Sequence, residues 1–161
     1  MISNTFRMDE IDQKIVQLIQ KEPHLTHTKI ASKINRSQPT VGLRIKKLEE
    51  AGVLNFHAGM SIREVDIHFA MIKISTNNPA NIMKMVKQCP HIINAFRLSG
   101  EFNIVVLLAS FKLENIDKII NSHFRSNPEI SKIEMDIVSD VAEDYMIPLN
   151  LIYEDCSCPI Y

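Results

Sequence analysis

Tryptophan is absent from this 161-residue chain, glycine occurs only four times, and aromatic residues make up 6%. There is no glycine-rich phosphate loop, and neither His-Glu-x-x-His nor Gly-x-Ser-x-Gly occurs. The acids are scattered, and no spacing pairs a base with a nucleophile, so an enzyme is not expected. Three cysteines, an odd and small number, make no disulfide framework. No apolar run approaches the ~18 residues of a membrane span, and the first residues, Met-Ile-Ser-Asn-Thr-Phe-Arg, lack the apolar core of a signal peptide. No internal repeat or low-complexity tract is present. These absences point to a soluble, cytoplasmic, non-enzymatic protein.

What is present is a globular composition, 45% apolar, in a chain long enough for one large domain or two small ones. Charge is divided unevenly. Residues 1–54 hold nine Lys/Arg against six Asp/Glu, net +3, and residues 55–161 hold nine against thirteen, net −4. The split suggests a front that faces nucleic acid and a rear that does not.

Residues 26–52 show why. Thr26 can cap a helix whose apolar stripe is Ile30, Ala31 and Ile34. Asn35 and Arg36 break that pattern. Ser37 supplies a second cap, Pro39 is tolerated in a first turn, and Val41, Ile45 and Leu48 recur at i, i+4 and i+7 before Gly52 stops the helix. From Lys29 to Lys47 there are six basic residues and no acidic one. A short helix, a tight turn and a basic second helix read as a helix-turn-helix. The alternative, a helical hairpin with a solvated basic face, is disfavoured by two features. Gly42 sits mid-helix at a cost of about 1 kcal/mol relative to Ala, as if a bare surface were needed against a groove wall. Around it Gln38, Thr40 and Arg44 are types that reach base edges and phosphates.

In chain order, Asp9–Lys21 is expected as a first helix, with acid at its N-terminus and Ile11, Ile15, Leu18 and Ile19 inward. Val53, Leu54 and Phe56 are expected to open a small wing. Residues 57–66 read as a linker between a helix-turn-helix domain (1–56) and a second domain (67–153). There the pattern predicts strand 67–75, helix 80–88, strands 91–98 and 102–110, helix 113–124 and strand 130–138. That order, βαββαβ, is ferredoxin-like, and the fold class as a whole is α+β. The third strand is apolar on both faces (Ile104, Val106, Leu108; Val105, Leu107, Ala109), so both should be covered. Two helices cover one face, and a second subunit is expected on the other.

The chain resembles the Lrp/AsnC (leucine-responsive regulatory protein) family of transcription regulators over nearly its full length. The matching residues are Met8-Asp9-Glu10-Ile11-Asp12, Leu25-Thr26, Ile30-Ala31, Ser37, Val41, the run Arg44 to Glu49, and Gly52-Val53-Leu54. The family's Gly-x-x-Asp turn aligns with Gly100-Glu101-Phe102-Asn103. The resemblance implies a homodimer joined through the rear sheets, assembly to tetramers or octamers, and a small effector, an amino-acid-like metabolite, between dimers. Asn103 departs from the family acid. A neutral amide offers an ammonium group no charge-assisted contact, so leucine-like amino acids are expected to bind weakly or not at all.

The residues expected to contact double-stranded DNA are Ser37, Gln38, Thr40, Arg44, Lys46 and Lys47. Gln38 and Thr40 are placed at base edges, Arg44 at a base or phosphate, and the two lysines at phosphates. Gly100, Glu101 and Asn103 are the effector candidates. Cys156 and Cys158, in the tail 154–161, are candidate ligands for a metal-ion effector, against the alternative of an exposed reduced tail. Two further readings are a metal-responsive regulator and a chromatin-like architectural protein of low sequence specificity.

Overall fold

The computed structural model describes residues 6–143 and 145–148. The chain divides into two compact units, Met1–His57 and Ala58–Tyr161.

The first unit holds α1 (Glu10–Lys21), α2 (His27–Ile34) and α3 (Gln38–Glu50). Each begins at a side-chain cap. The Asp9 carboxylate accepts from the Ile11 and Asp12 N–H groups, and the Asp12 carboxylate accepts from the Asp9 N–H, a reciprocal capping box. Thr26 Oγ1 accepts from the Lys29 N–H, and Ser37 Oγ from the Thr40 N–H. At eight residues α2 is too short to persist alone, so packing must hold it. Ile30 and Ala31 of α2, Ile15 and Ile19 of α1, and Val41, Ile45 and Leu48 of α3 form one buried cluster. Asn35 turns the chain between α2 and α3 in the left-handed region, at φ +53°, and Gly52 ends α3 at φ +67°.

Two expectations are corrected here. No strand forms among residues 53–57. The Val53 and Leu54 N–H groups both bond to the Leu48 carbonyl, and Leu54 is buried, so this segment closes α3 rather than opening a wing ladder. Gly42, moreover, is not bare on an outer face. A Cβ there would stand 3.4 Å from His27 Nδ1, against the start of α2. That is ordinary contact, so Gly42→Ala should raise the stability of the full chain by roughly 0.5–1 kcal/mol through helix propensity. A urea melt measures it, with DNA affinity unchanged.

The second unit begins with β1 (Met60–Ser61), inside the segment expected to be a linker. Then come β2 (His68–Thr76), α4 (Pro79–Val86), β3 (Ile92–Arg97), β4 (Ile104–Ser110), α5 (Leu113–Ile120), β5 (Ile130–Ile137) and β6 (Met146–Ile147). The four long strands make an antiparallel sheet in the order β3-β4-β2-β5, the ferredoxin-like arrangement. Pairing Ala70 with Leu108, Ile72 with Val106 and Ile74 with Ile104 sets one apolar face. It packs with Ile82 and Val86 of α4, Ile116, Ile119 and Ile120 of α5, and Phe124 into the larger core. α5 does not run on as an α-helix to Phe124. It passes into a π-helical turn, Asn121–Arg125, where Ser122 and Ser126 hydroxyls donate to the carbonyls of Ile119 and Ser122. That turn seats Phe124 in the core.

The other sheet face is partly covered by the unit itself. β1 pairs with β6, and Ile147 packs with Phe69 and Ala109, with Ile62 and Leu107 alongside. Met71 and Val105 are only half-buried, and Phe96, opposite Val105, is 47% exposed. On the β5 side Lys73 Nζ lies 2.8 Å from Asp136 and 3.6 Å from Glu134. A second subunit therefore has less of this face to cover than the strand pattern suggests.

Candidate nucleic-acid interface

α3 presents two contrasting sides. Val41, Ile45 and Leu48 are buried, while Gln38, Leu43, Lys46 and Lys47 are exposed. The cap at its start uses two of the expected contact residues together: Ser37 Oγ lies 2.7 Å from Thr40 Oγ1 as well as accepting the Thr40 N–H. Both hydroxyls stay at the N-terminal end, where unsatisfied helix amides favour a phosphate. Gln38 is exposed beside them. Lys46 Nζ is 3.7 Å from Glu50, an exposed i,i+4 pair that salt or a phosphate readily displaces. Lys47 Nζ stands 5.3 Å from the Phe6 ring centroid, which steadies a flexible stem without removing its charge.

Arg44, expected at a base or a phosphate, is engaged within the unit. Its Nη1 donates to Asp9 Oδ2 at 2.6 Å and to Asp12 Oδ1 at 2.7 Å. One guanidinium thus ties the middle of α3 to the capping box of α1. The Asp12 N–H and then Arg44 hold the Asp9 carboxyl below the usual carboxylate range, and Asp9 and then Asp12 push the Arg44 value up. Asp12 is buried, so Arg44 neutralises a charge that water reaches poorly. Its geometry is that of an internal clamp.

The rear turn also differs from expectation. Asn103 does not present a free amide. Its Oδ1 accepts the Thr76 N–H at 3.1 Å, and its Nδ2 donates to the Thr76 carbonyl at 2.7 Å, so the side chain imitates one more rung of sheet at the end of β2. Glu101 is paired with Lys132, which draws its carboxyl value down. A Cβ on Gly100 would meet nothing nearer than the Phe102 carbonyl oxygen at 3.9 Å, so the fold itself does not require glycine there. Among the described residues no three His, Cys, Asp or Glu side chains are grouped to hold a metal ion. Cys156 and Cys158 lie outside the described residues. No helix among the described residues is long and apolar enough to cross a membrane.

Comparison with known proteins places both units. Residues 8–55 match a winged helix-turn-helix DNA-binding family, and residues 67–146 match the Lrp/AsnC ligand-binding domain. The chain belongs to the Lrp/AsnC family of transcription regulators. An HTH-type transcriptional regulator of Pyrococcus furiosus is 25% identical over 119 residues, covering 71% of this chain and 80% of that protein. The regulator FL11 of the same organism is 23% identical over 118 residues, 71% and 78% of the two chains. The fold is that of E. coli AsnC (TM-score 0.74, 15% identity, 87% of this chain and 97% of that one). It is also that of a Neisseria meningitidis regulator solved as a complex with L-Met (0.72, 20% identity, 92% and 99%).

An Lrp/AsnC regulator binds DNA through its helix-turn-helix and is not an enzyme. One exposed residue of α3 was not among the expected contacts. Leu43 is exposed on the same side as Lys46 and Lys47. The signal was there, because a leucine off the Val41/Ile45/Leu48 stripe has no core to enter.

Proposed function

We propose that this regulator binds specific duplex sites as a homodimer or larger ring, with α3 in the major groove, and that a small effector bound at the rear unit modulates binding or assembly. The observation that carries the reading is the outer side of α3. Gln38, Thr40, Leu43, Lys46 and Lys47 lie off its buried stripe, no acid of α3 precedes Glu49, and Arg44 pairs with the nearest carboxylates from α1. Gln38 and Thr40 suit base edges, and Ser37, Lys46 and Lys47 suit phosphates. Selection of tight-binding duplexes from a random pool by the full chain tests this. A recurrent motif is expected, with Lys46→Ala reducing the salt slope of binding by about one. Selection that enriches nothing would end this reading.

For the effector, the L-Met complex of the neisserial relative supports a ligand of amino-acid size, and the 100–103 turn is where we place it from the resemblance to the family's Gly-x-x-Asp turn. Glu101 is the acid present, but Lys132 already neutralises it, and both amide atoms of Asn103 bond to Thr76. Calorimetry with the twenty amino acids is expected to show weak or no binding of leucine-like members. Tight binding of any of them would contradict this account of the turn. Asn103→Asp is expected to destabilise the rear unit by roughly 1–3 kcal/mol, because a carboxylate would face the Thr76 carbonyl where an N–H now donates.

A further inference from the structure

Leu43 is the most exposed large apolar side chain among the described residues, at 71%. It stands two residues from each of the buried Val41 and Ile45, about half a turn away around the helix. Single exposed leucines are ordinary on protein surfaces. The surroundings set this one apart. Thr40 lies one turn before it, and Lys46 and Lys47 lie one turn after. Leu43, Thr40, Lys47 and Arg7 line one open groove of about 390 Å³. Asp9, Asp12 and Arg44 line the same groove; both acids are bonded to Arg44, and with Arg7 and Lys47 the lining keeps a net positive charge. An apolar tip within a cationic rim suits a polyanion that carries an apolar group, and an apolar protein partner would leave those cations unmatched.

We infer that Leu43 is a specificity-determining residue, reading thymine by contact with its 5-methyl group in the major groove. This rests on the DNA-binding reading of α3. Of the groups that base pairs present in the major groove, the thymine methyl is the apolar one, and apolar side chains recognise it. Leu43 is the sixth residue of α3, within the N-terminal half that contacts base edges when such a helix lies in the groove. Its neighbours fix position on the phosphates, and Leu43 supplies a preference for T·A over the other pairs at one step.

The test uses the full-length protein and a duplex it selects from a random pool. Each thymine is replaced in turn by uracil, which removes the methyl and leaves every hydrogen-bonding group. Wild type should lose about threefold to tenfold in affinity at one thymine per half-site, the effect of one buried methyl. Leu43→Ala should bind the thymine and uracil duplexes alike, and Leu43→Met should keep most of the preference. Because Leu43 is exposed, both variants should melt within a few degrees of wild type. Two results would overturn the inference: no uracil replacement weakens wild type, or Leu43→Ala retains the wild-type thymine-to-uracil ratio. If no duplex is selected at all, the DNA-binding reading fails first.

Discussion

Arg44→Ala should destabilise the helix-turn-helix unit by about 1–3 kcal/mol, because it leaves the buried Asp12 carboxylate without its charged partner. The loss of DNA affinity should follow the loss of order. It should be similar on the selected duplex and on every single-base variant of it, whereas removal of a base-reading side chain would be felt at one position. Arg44→Lys should recover only part of the stability, since the ammonium is more strongly hydrated and lacks the fixed donor directions of the planar guanidinium. A second substitution, Asp12→Asn, should make Arg44→Ala less costly, and a double-mutant cycle by urea melt measures that coupling. The same network fixes a pH dependence. Asp9 has its folded value lowered, by the Asp12 N–H and Arg44, so its contribution is complete above the ordinary carboxylate range. It is lost as pH falls below about 4 and through the depressed folded value. Stability of this unit that is indifferent to Arg44→Ala would show that the clamp is not needed.

Val105→Arg should convert the assembled protein to a monomer. Val105 faces away from the α4/α5 core, between Phe96 of β3 and Lys73 of β2, on the part of the sheet that β1 and β6 leave uncovered. A half-buried valine beside a 47% exposed phenylalanine suits a sheet face that another copy covers. An arginine there adds like charge next to Lys73 and would have to be desolvated in any close-packed interface. Light scattering at micromolar concentration should show at least a dimer for wild type and a monomer of unchanged circular dichroism for the variant. A wild-type chain that is monomeric under those conditions would remove the dimer from the account, and a variant that stays dimeric would move the interface elsewhere.

The features legible in the sequence were those set by local chemistry. Thr26 and Ser37, read as caps, each stand one residue before a helix and each accepts an N–H from its first turn, a device confined to four residues; Asp9, read as the first helical residue, and Asn78 turn out to do the same. The apolar run Ile104–Ser110 and the alternation through Ile130–Ile137 likewise announced strands of the sheet. The β1–β6 pair was not legible. Two-residue strands have no period, and Met60 and Ile147 are brought together by the tertiary fold alone. The pairing of Arg44 was not legible for a related reason. The acids at the start of α1 read as dipole partners and the base on α3 as a DNA contact, and only the packing of the helices turns them toward each other across 32 residues of sequence. Asn103 shows the same limit, since a neutral side chain in the 100–103 turn says nothing of the Thr76 backbone beside it.

The central claim is that the outer side of α3 recognises sequence, and the ratio of two affinities tests it. The full-length chain is titrated at physiological salt with its selected duplex and with random duplex of equal length. A sequence-specific regulator should hold the selected site about 10³-fold or more tightly than random DNA. That preference should persist as salt is raised, while both affinities fall together through their shared phosphate contacts. A ratio near one at every salt concentration would contradict the account and leave a low-specificity, architectural mode of DNA binding in its place.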